Sequence, residues 1–291
     1  MREVWQWSSR WLPRGWPDAL LQLGLFAGAY LIYRLVRGLT ESRAAAAFEH
    51  GRVLIEAERA LGLLVEPAIQ SWTIERPWLV QAVNLAYINS HFVLTVGFLI
   101  WLYLARTASF NFVRNAFMVA MGLALVGYAV YPTAPPRFFP EWGFTDTIRE
   151  SGLLASAGED TVYGSDTFYN PYAAVPSVHV AFSLLVAVPA ALVVRSRLAR
   201  ALWALYPAAV TFTVIATGHH FWLDAVFGAL TAALAALAAR EALARLRPEA
   251  WAWPSAPPSP ARPVALPAAT IAATGREALP AEASSAPDAR G

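Results

Sequence analysis

The chain has 291 residues, 57% hydrophobic and 14% charged, with a formal net charge of +2 and a mean hydropathy of +0.43. Soluble domains carry about 25% charged residues, so this composition excludes a water-covered globule and makes the lipid bilayer the natural solvent for the excess apolar surface. Cysteine is absent, which excludes disulfides, thiolate metal sites and cysteine nucleophiles, and the small net charge, with no basic stripe interleaved by aromatics, argues against nucleic acid as a partner.

Apolar runs of about 20 residues mark spanning helices. Six are expected, at 17–36, 79–104, 112–131, 176–194, 201–218 and 221–243, giving an all-α polytopic membrane protein. The first run follows Arg2, Arg10 and Arg14, is uncharged between Ala19 and Tyr33, and lacks a small-residue cleavage site, so it reads as a retained helix. Residues 42–70 repeat with helical periodicity and mix Arg43, Arg52 and Arg59 with Glu49, Glu56, Glu58 and Glu66. That stretch is expected as an amphipathic helix lying in the interface. The second run contains His91, within helical reach of Tyr87, and connects to the third through Arg106 and Arg114. The loop 138–175 carries Asp146, Glu150, Glu159, Asp160 and Asp166 and is expected to shape the outer mouth. Arg195, Arg197 and Arg200 join the fourth run to the fifth. The fifth and sixth are nearly continuous, broken at Gly218-His219-His220, and the sixth leaves through Arg240, Arg245 and Arg247. Residues 248–291, rich in Ala, Pro and Ser, read as a disordered cytoplasmic tail, which leaves 1–247 as one membrane-embedded domain.

With six spans, the N-terminus, the 2–3 and 4–5 connections and the C-terminal exit share one side, and their arginines make it cytoplasmic. The 3–4 loop and the 5–6 turn then face the extracytoplasmic side of the cell membrane. The arginines of the 1–2 connection run against this rule, and their mixture with glutamates is what suggests an interfacial segment there.

Three polar clusters fall on that outer face. The first runs from Tyr131 through Pro132, Thr133, Ala134, Pro135 and Pro136 to Arg137; the second is Asn170-Pro171-Tyr172-Ala173-Ala174-Val175-Pro176-Ser177-Val178-His179; the third is Gly218-His219-His220-Phe221-Trp222-Leu223-Asp224. His220 and Asp224 are four apart and share a helix face. A carboxylate there can fix the imidazole tautomer and leave one nitrogen as a nucleophile; the pair could equally serve helix packing. Pro176 suits the first turn of a helix, which places Ser177 and His179 where unpaired N–H groups favour an anion. His179 can protonate a leaving oxygen, or the segment is simply a capped helix start. Every basic residue is Arg, and Arg137 offers a planar fork for phosphate oxygens or a headgroup anchor. Together the clusters supply nucleophile, orienter, acid and anion clamp, the parts of a covalent phosphoryl transfer.

Pro176-Ser177-Val178-His179 and Gly218-His219-His220-Phe221-Trp222-Leu223-Asp224, followed by Gly228, resemble the second and third signatures of the type 2 phosphatidic acid phosphatase (PAP2) superfamily. The resemblance covers roughly residues 50–235 and implies a six-helix core. It implies His220 as the phosphohistidine-forming nucleophile, Asp224 as its partner, His179 as acid to the leaving group, and neither metal nor other cofactor. Arg137, Ser177 and His219 are the expected phosphate contacts and a lipid phosphate the expected substrate. The main branch opens its first signature with Lys and carries Ser-Arg six or seven residues before the nucleophile, where this chain has Thr213 and Val214. Both departures are similar to the inositol phosphorylceramide synthase branch, as is the segment from Leu61 through Glu66, Trp72, Asn84 and Tyr87 to His91. That branch includes transferases that move a phospho-headgroup to an alcohol, so water and an alcohol such as inositol both stand as acceptors. His219 either replaces the missing Arg or packs against a neighbour, and His91 reads as a packing residue.

Two other classes compete. A metal-dependent membrane enzyme could use His179, His219, His220 and Asp224 as ligands, although adjacent histidines on a helix diverge by about 100°. A transporter or scaffold would carry ionisable groups deep in several spans, and among the six runs His91 is the clear example.

Overall fold

The computed structural model describes residues 12–41, 43–151 and 171–254. Among these residues the regular structure is helical, with an isolated parallel bridge between Thr133 and Ala173. The helices are α1 (Gly15–Glu41), α2 (Ala44–Ala60), α3 (Glu66–Ile74), α4 (Pro77–Leu85), α5 (His91–Ala105), α6 (Thr107–Val130), α7 (Val178–Val193), α8 (Arg197–Ala216) and α9 (Trp222–Ala238), with a π-helical turn, Ala86–Ser90, joining α4 to α5.

α7 occupies the centre and packs against α5, α6, α8 and α9. Its neighbours meet it through small residues: Ala181, Ala190, Ala232 and Ala235 are buried in the core beside Phe98, Leu102, Phe110, Phe117 and Val186. Small side chains let helix backbones approach closely where lipid gives no hydrophobic drive for association. Large apolar side chains point outward instead, including Leu192, Leu202, Leu205, Leu230, Leu234 and Leu237. Leucines outside and small or polar groups inside are the arrangement expected of a multi-pass membrane protein.

Hydrogen bonds fix the direction of the chain. Arg14 Nη1 donates to Asn111 Oδ1 at 2.8 Å and Arg43 Nη1 to the Ala129 carbonyl at 2.6 Å, so α1 runs parallel to α6. Tyr128, near the end of α6, donates to the Pro176 carbonyl at 3.0 Å, beside the start of α7. Ser177 caps α7 and Ser196 caps α8. One end of the bundle therefore gathers the end of α6, the start of α7, the end of α8 and the start of α9.

Several expectations change. Among the described residues, four helices are long and apolar enough to cross a membrane: Gly15–Val36, Thr107–Val130, Arg197–Ala216 and Trp222–Leu246. A fifth crossing needs Pro77–Asn89 and Val93–Ala105 together, bent by 46°. The run expected at 176–194 is a helix of 16 residues, about 24 Å long against about 30 Å of hydrocarbon, because Ser177 starts it and the chain turns at Val194 toward the Ser196 cap. Among the described residues, length and composition by themselves thus carry four or five of the six expected spans. Arg114, expected in a connection, lies inside α6 and is buried, with Nη1 donating to Gln22 at 2.9 Å. The expected interfacial helix over 42–70 breaks into α2 and α3 around Gly62, where φ is +68°. Its inner face, Ala47, Gly51, Leu54, Ile55 and Glu58, is buried in protein. Packing also continues past residue 247: Asn111 donates to the Ala250 carbonyl at 3.0 Å and Trp253 meets the Phe112 ring edge-on. The remaining tail, from 255, lies outside the described residues, as do Glu159, Asp160, Asp166, Asn170 and the His91 side chain.

Candidate active site

The three polar clusters are tied to one another through the backbone. The Thr133 N–H donates to the Tyr172 carbonyl at 2.9 Å, joining the first to the second; the Ser177 N–H donates to the Asp224 carbonyl at 3.1 Å, joining the second to the third; the Arg137 N–H donates to the Gly218 carbonyl at 2.9 Å, closing the ring. Gly218 sits at φ +77°, and a Cβ there would meet the Thr145 carbonyl and, at 2.8 Å, Gln70 Nε2. Only glycine turns the chain this way so close to other backbone. The turn lets the His219 and His220 N–H groups both close on the Val214 carbonyl, at 3.0 and 3.1 Å.

His220 Nδ1 lies 3.2 Å from Asp224 Oδ2, which also accepts the Phe221 N–H at 2.9 Å. An ionised carboxylate only accepts, so Nδ1 carries the proton and Nε2 keeps its lone pair. Asp224 is fully buried and His220 nearly so, which locks the rotamers of both. The His179 ring stands edge-on to His220 with centroids 5.4 Å apart, and Tyr87 backs it at 4.7 Å. Tyr87 is presented by the π-helical turn, a local irregularity that recurs at functional sites.

Ser177 accepts the Val180 N–H at 3.4 Å through Oγ, and its O–H remains to donate. Arg137 is almost wholly buried, its guanidinium 4.7 Å above the Phe138 ring and its Nε 3.5 Å from Asp146 Oδ2. Asp146 also accepts the Arg149 N–H at 3.1 Å. This acidic loop residue therefore steers the arginine. His219 is buried, packs on Tyr87 at 4.2 Å and directs Nδ1 to the Thr217 carbonyl at 3.0 Å. A carbonyl only accepts, so Nδ1 is protonated. Burial, then Arg137, His220 and His179, hold this imidazole well below its ordinary value, and it stands neutral. Among the described residues no group of three His, Cys, Asp or Glu side chains is arranged to hold a metal ion.

The sequence places Glu58 and Glu66 in an interfacial amphipathic helix, Glu66 also in the segment similar to the synthase branch, yet both are fully buried at the start of α9. The signal was available for Glu58: Ala47, Gly51, Leu54, Ile55 and Glu58 follow the 3.6-residue period of one buried stripe. Gln70 was missed altogether. It spans the site, donating to the Thr145 carbonyl at 2.9 Å and accepting the Thr145 N–H at 3.1 Å. Asn84 similarly holds Thr147, at 2.8 and 2.9 Å.

Residues 52–238 match the sequence model of the PAP2 superfamily. The chain is also similar to the phosphoinositol dihydroceramide synthase of Bacteroides thetaiotaomicron, 29% identical over 136 residues, a stretch covering 43% of this chain and 44% of that protein. The match thus takes in less than half the length of that relative. No solved structure matches the chain.

Proposed function

The chain belongs to the PAP2 superfamily, and from that premise we propose that it transfers a phosphoryl or phospho-headgroup from a lipid through a covalent intermediate on His220. Nε2 of His220 attacks phosphorus as the bond to the leaving oxygen breaks. His179, in its imidazolium form, gives that oxygen a proton. The proton on His220 Nδ1 stays in its bond to Asp224, so the phosphorylated ring is cationic and the carboxylate stabilises it. His179, now neutral, next takes a proton from water or an alcohol, whose oxygen attacks phosphorus. The phosphorus–nitrogen bond breaks and His220 returns to its starting tautomer. Arg137, the Ser177 hydroxyl and the first N–H groups of α7 hold the non-bridging oxygens. The neutral His219 walls the pocket. The observation that carries this reading is the His220–Asp224 pair, which sets the Nε2 lone pair beside His179.

The charge of the site favours headgroup transfer from a phosphodiester over hydrolysis of a phosphomonoester. Val214, buried on α8, stands where the main branch has a second arginine. Arg137 is partly neutralised by Asp146, and His219 is uncharged. Such a clamp suits one negative charge on phosphate better than two. The synthase named as a relative points the same way. We place the site on the extracytoplasmic face of a six-crossing bundle, with the bent α4–α5 pair and the short α7 each completing a crossing.

The test uses protein purified in detergent with EDTA present. Labelled phosphatidic acid and phospholipids are supplied with and without inositol or glycerol, beside His220→Ala. A new headgroup lipid that depends on added alcohol, formed by wild type alone, supports transfer. Release of inorganic phosphate without an acceptor makes the enzyme a phosphatase. Full activity in His220→Ala removes the covalent mechanism.

A further inference from the structure

Helix α9 starts on three backbone N–H groups, each taken by a different carboxyl. The Phe221 N–H goes to Asp224, the Trp222 N–H to Glu66 Oε1 at 2.7 Å, and the Leu223 N–H to Glu58 Oε1 at 2.7 Å. Glu58 comes from α2 and Glu66 from α3, and neither exposes any surface. Because they take adjacent N–H groups, the two carboxyls stand side by side, and the second oxygen of each, Oε2, is buried with no donor among the described residues. Two ionised carboxylates placed so in a dry site repel, and neither can donate to the other. One proton between them removes the repulsion and gives both orphaned oxygens a partner.

We propose that Glu58 and Glu66 form a proton-sharing dyad that positions the start of α9, and with it the His220–Asp224 pair, while holding one negative charge beside that pair. The effect on catalysis rests on the reading of His220 and Asp224 above; the shared proton rests on the burial of both carboxyls, their adjacent N–H partners and their orphaned Oε2 atoms. The retained charge adds to Asp224 in countering the cationic phosphorylated imidazole. Loss of the shared proton would set two negative charges against Asp224 and crowd the start of α9.

Burial first, then the hydrogen bond and charge of Glu66, push the Glu58 carboxyl up to about 9; the Leu223 N–H opposes this and Asp224 reinforces it. The charged groups facing it are Glu66 from α3 and Asp224, with its partner His220, at the start of α9; on α2 itself Glu56 and Arg59 are exposed. The unfolded carboxyl ionises near 4.5. The stability from the bound proton is thus whole below that value, declines as pH rises and is lost by about 9.

The test uses the full chain in detergent with Glu58→Gln, Glu66→Gln and the double variant. A glutamine amide reproduces the protonated carboxyl: its oxygen accepts the helix N–H and its NH2 donates to the remaining glutamate. Either single variant should fold and keep activity within about threefold. The double variant sets two NH2 groups face to face without charge and should lose at least about tenfold, because members of a shared network are not additive. At about pH 7.5, well above an ordinary carboxyl, the infrared difference between wild type and either single variant should show the band of a protonated carboxyl. Between about pH 6 and 9 the wild-type thermal midpoint should fall, and in Glu58→Gln this slope should flatten and the alkaline limb of the rate profile move upward. A missing infrared band, an unchanged slope, or single variants as damaged as the double would overturn the dyad. If no lipid in the panel is turned over, the infrared and thermal arms still decide the dyad, and only the reading of the reaction fails.

Discussion

The pair on which the proposed chemistry turns is held by one carboxylate oxygen. Asp224 Oδ2 takes both the His220 Nδ1–H and the Phe221 N–H, so Asp224→Asn has two orientations. With its oxygen in that place it keeps both bonds and the tautomer but without the charge; with its NH2 there it gives up the Phe221 N–H and moves the ring proton to Nε2. Either way the carboxylate charge that would offset a phosphorylated imidazole is gone, and turnover should fall by about 10²–10⁴-fold. Rates and acid-quench trapping of phosphohistidine check it. For His179 the expectation depends on the leaving group. His179→Ala should slow a lipid alkoxide by about 10²–10⁴-fold, the range of general acid catalysis, yet slow an activated aryl phosphodiester far less, since aryloxide leaves unaided. Equal losses on both substrates would deny His179 the acid role. Five of the six residues gathered here were legible in the sequence as candidates: Pro176-Ser177 before α7 brings Ser177 and His179, the i, i+4 spacing brings His220 and Asp224, and a proline-stiffened loop brings Arg137. His219 was legible as a residue but not as a role, because its neutrality follows from burial and from Arg137 beside it. Glu58 and Gln70 were not, because residue type alone marks them as surface groups and only their tertiary partners bury them.

At the scale of elements, two glycines set the geometry. Gly218 turns the chain between α8 and α9 at φ +77°, with Arg137 Cβ 3.5 Å from where its own Cβ would stand. Gly218→Ala adds a left-handed backbone penalty of about 1–2 kcal/mol and overpacking of about 1–3 kcal/mol. A loss of roughly 2–5 kcal/mol is expected, seen as a lower unfolding midpoint, because the added Cβ runs into the Thr145 carbonyl and Gln70 Nε2. Gly228 sits where α9 crosses the start of α7, and a Cβ there runs into the Ser177 carbonyl. Gly228→Leu should therefore separate α9 from the start of α7, with a stability loss no smaller than that of Gly218→Ala. The apolar runs behind these helices were plain in the sequence because lipid imposes a single long period of hydrophobicity. Their ends were not. α6 reaches back to Thr107 past Arg114, because Gln22 of α1 and the neighbouring Asn115 satisfy the guanidinium inside the bundle. α2 stops at Ala60 because the chain turns through Gly62 to bring Glu66 beside Glu58.

For the molecule as a whole, the two ends of the bundle differ in charge. The clusters of the site lie at one end. Arg106, Arg195, Arg197, Arg200, Arg240, Arg245 and Arg247 lie at the other, near the start of α6, the turn between α7 and α8, and the exit of α9. Arginine near helix ends marks the cytoplasmic side. Arg43, Arg52 and Arg76 do not break this reading, because they pair locally: Arg43 with the Ala129 carbonyl, Arg52 with Glu49 at 3.7 Å, and Arg76 stacked over Trp72 at 4.2 Å. The natural absence of cysteine allows a direct test, since any introduced thiol is the only one in the chain. Glu141 is exposed on the loop that follows Arg137, and Arg195 is exposed at the opposite end. In intact cells a membrane-impermeant maleimide should label Glu141→Cys and spare Arg195→Cys; after permeabilisation both should react. The reverse pattern would turn the site toward the cytoplasm, so that the alcohol acceptor would come from the cytoplasmic pool. Labelling of both thiols in intact cells would mean that an even number of crossings separates them, which would reduce α7, the long apolar helix between them, to a re-entrant segment. Because the site is built where α6, α7, α8 and α9 end together, its sidedness and the crossing of α7 are one question, and a two-thiol comparison answers both.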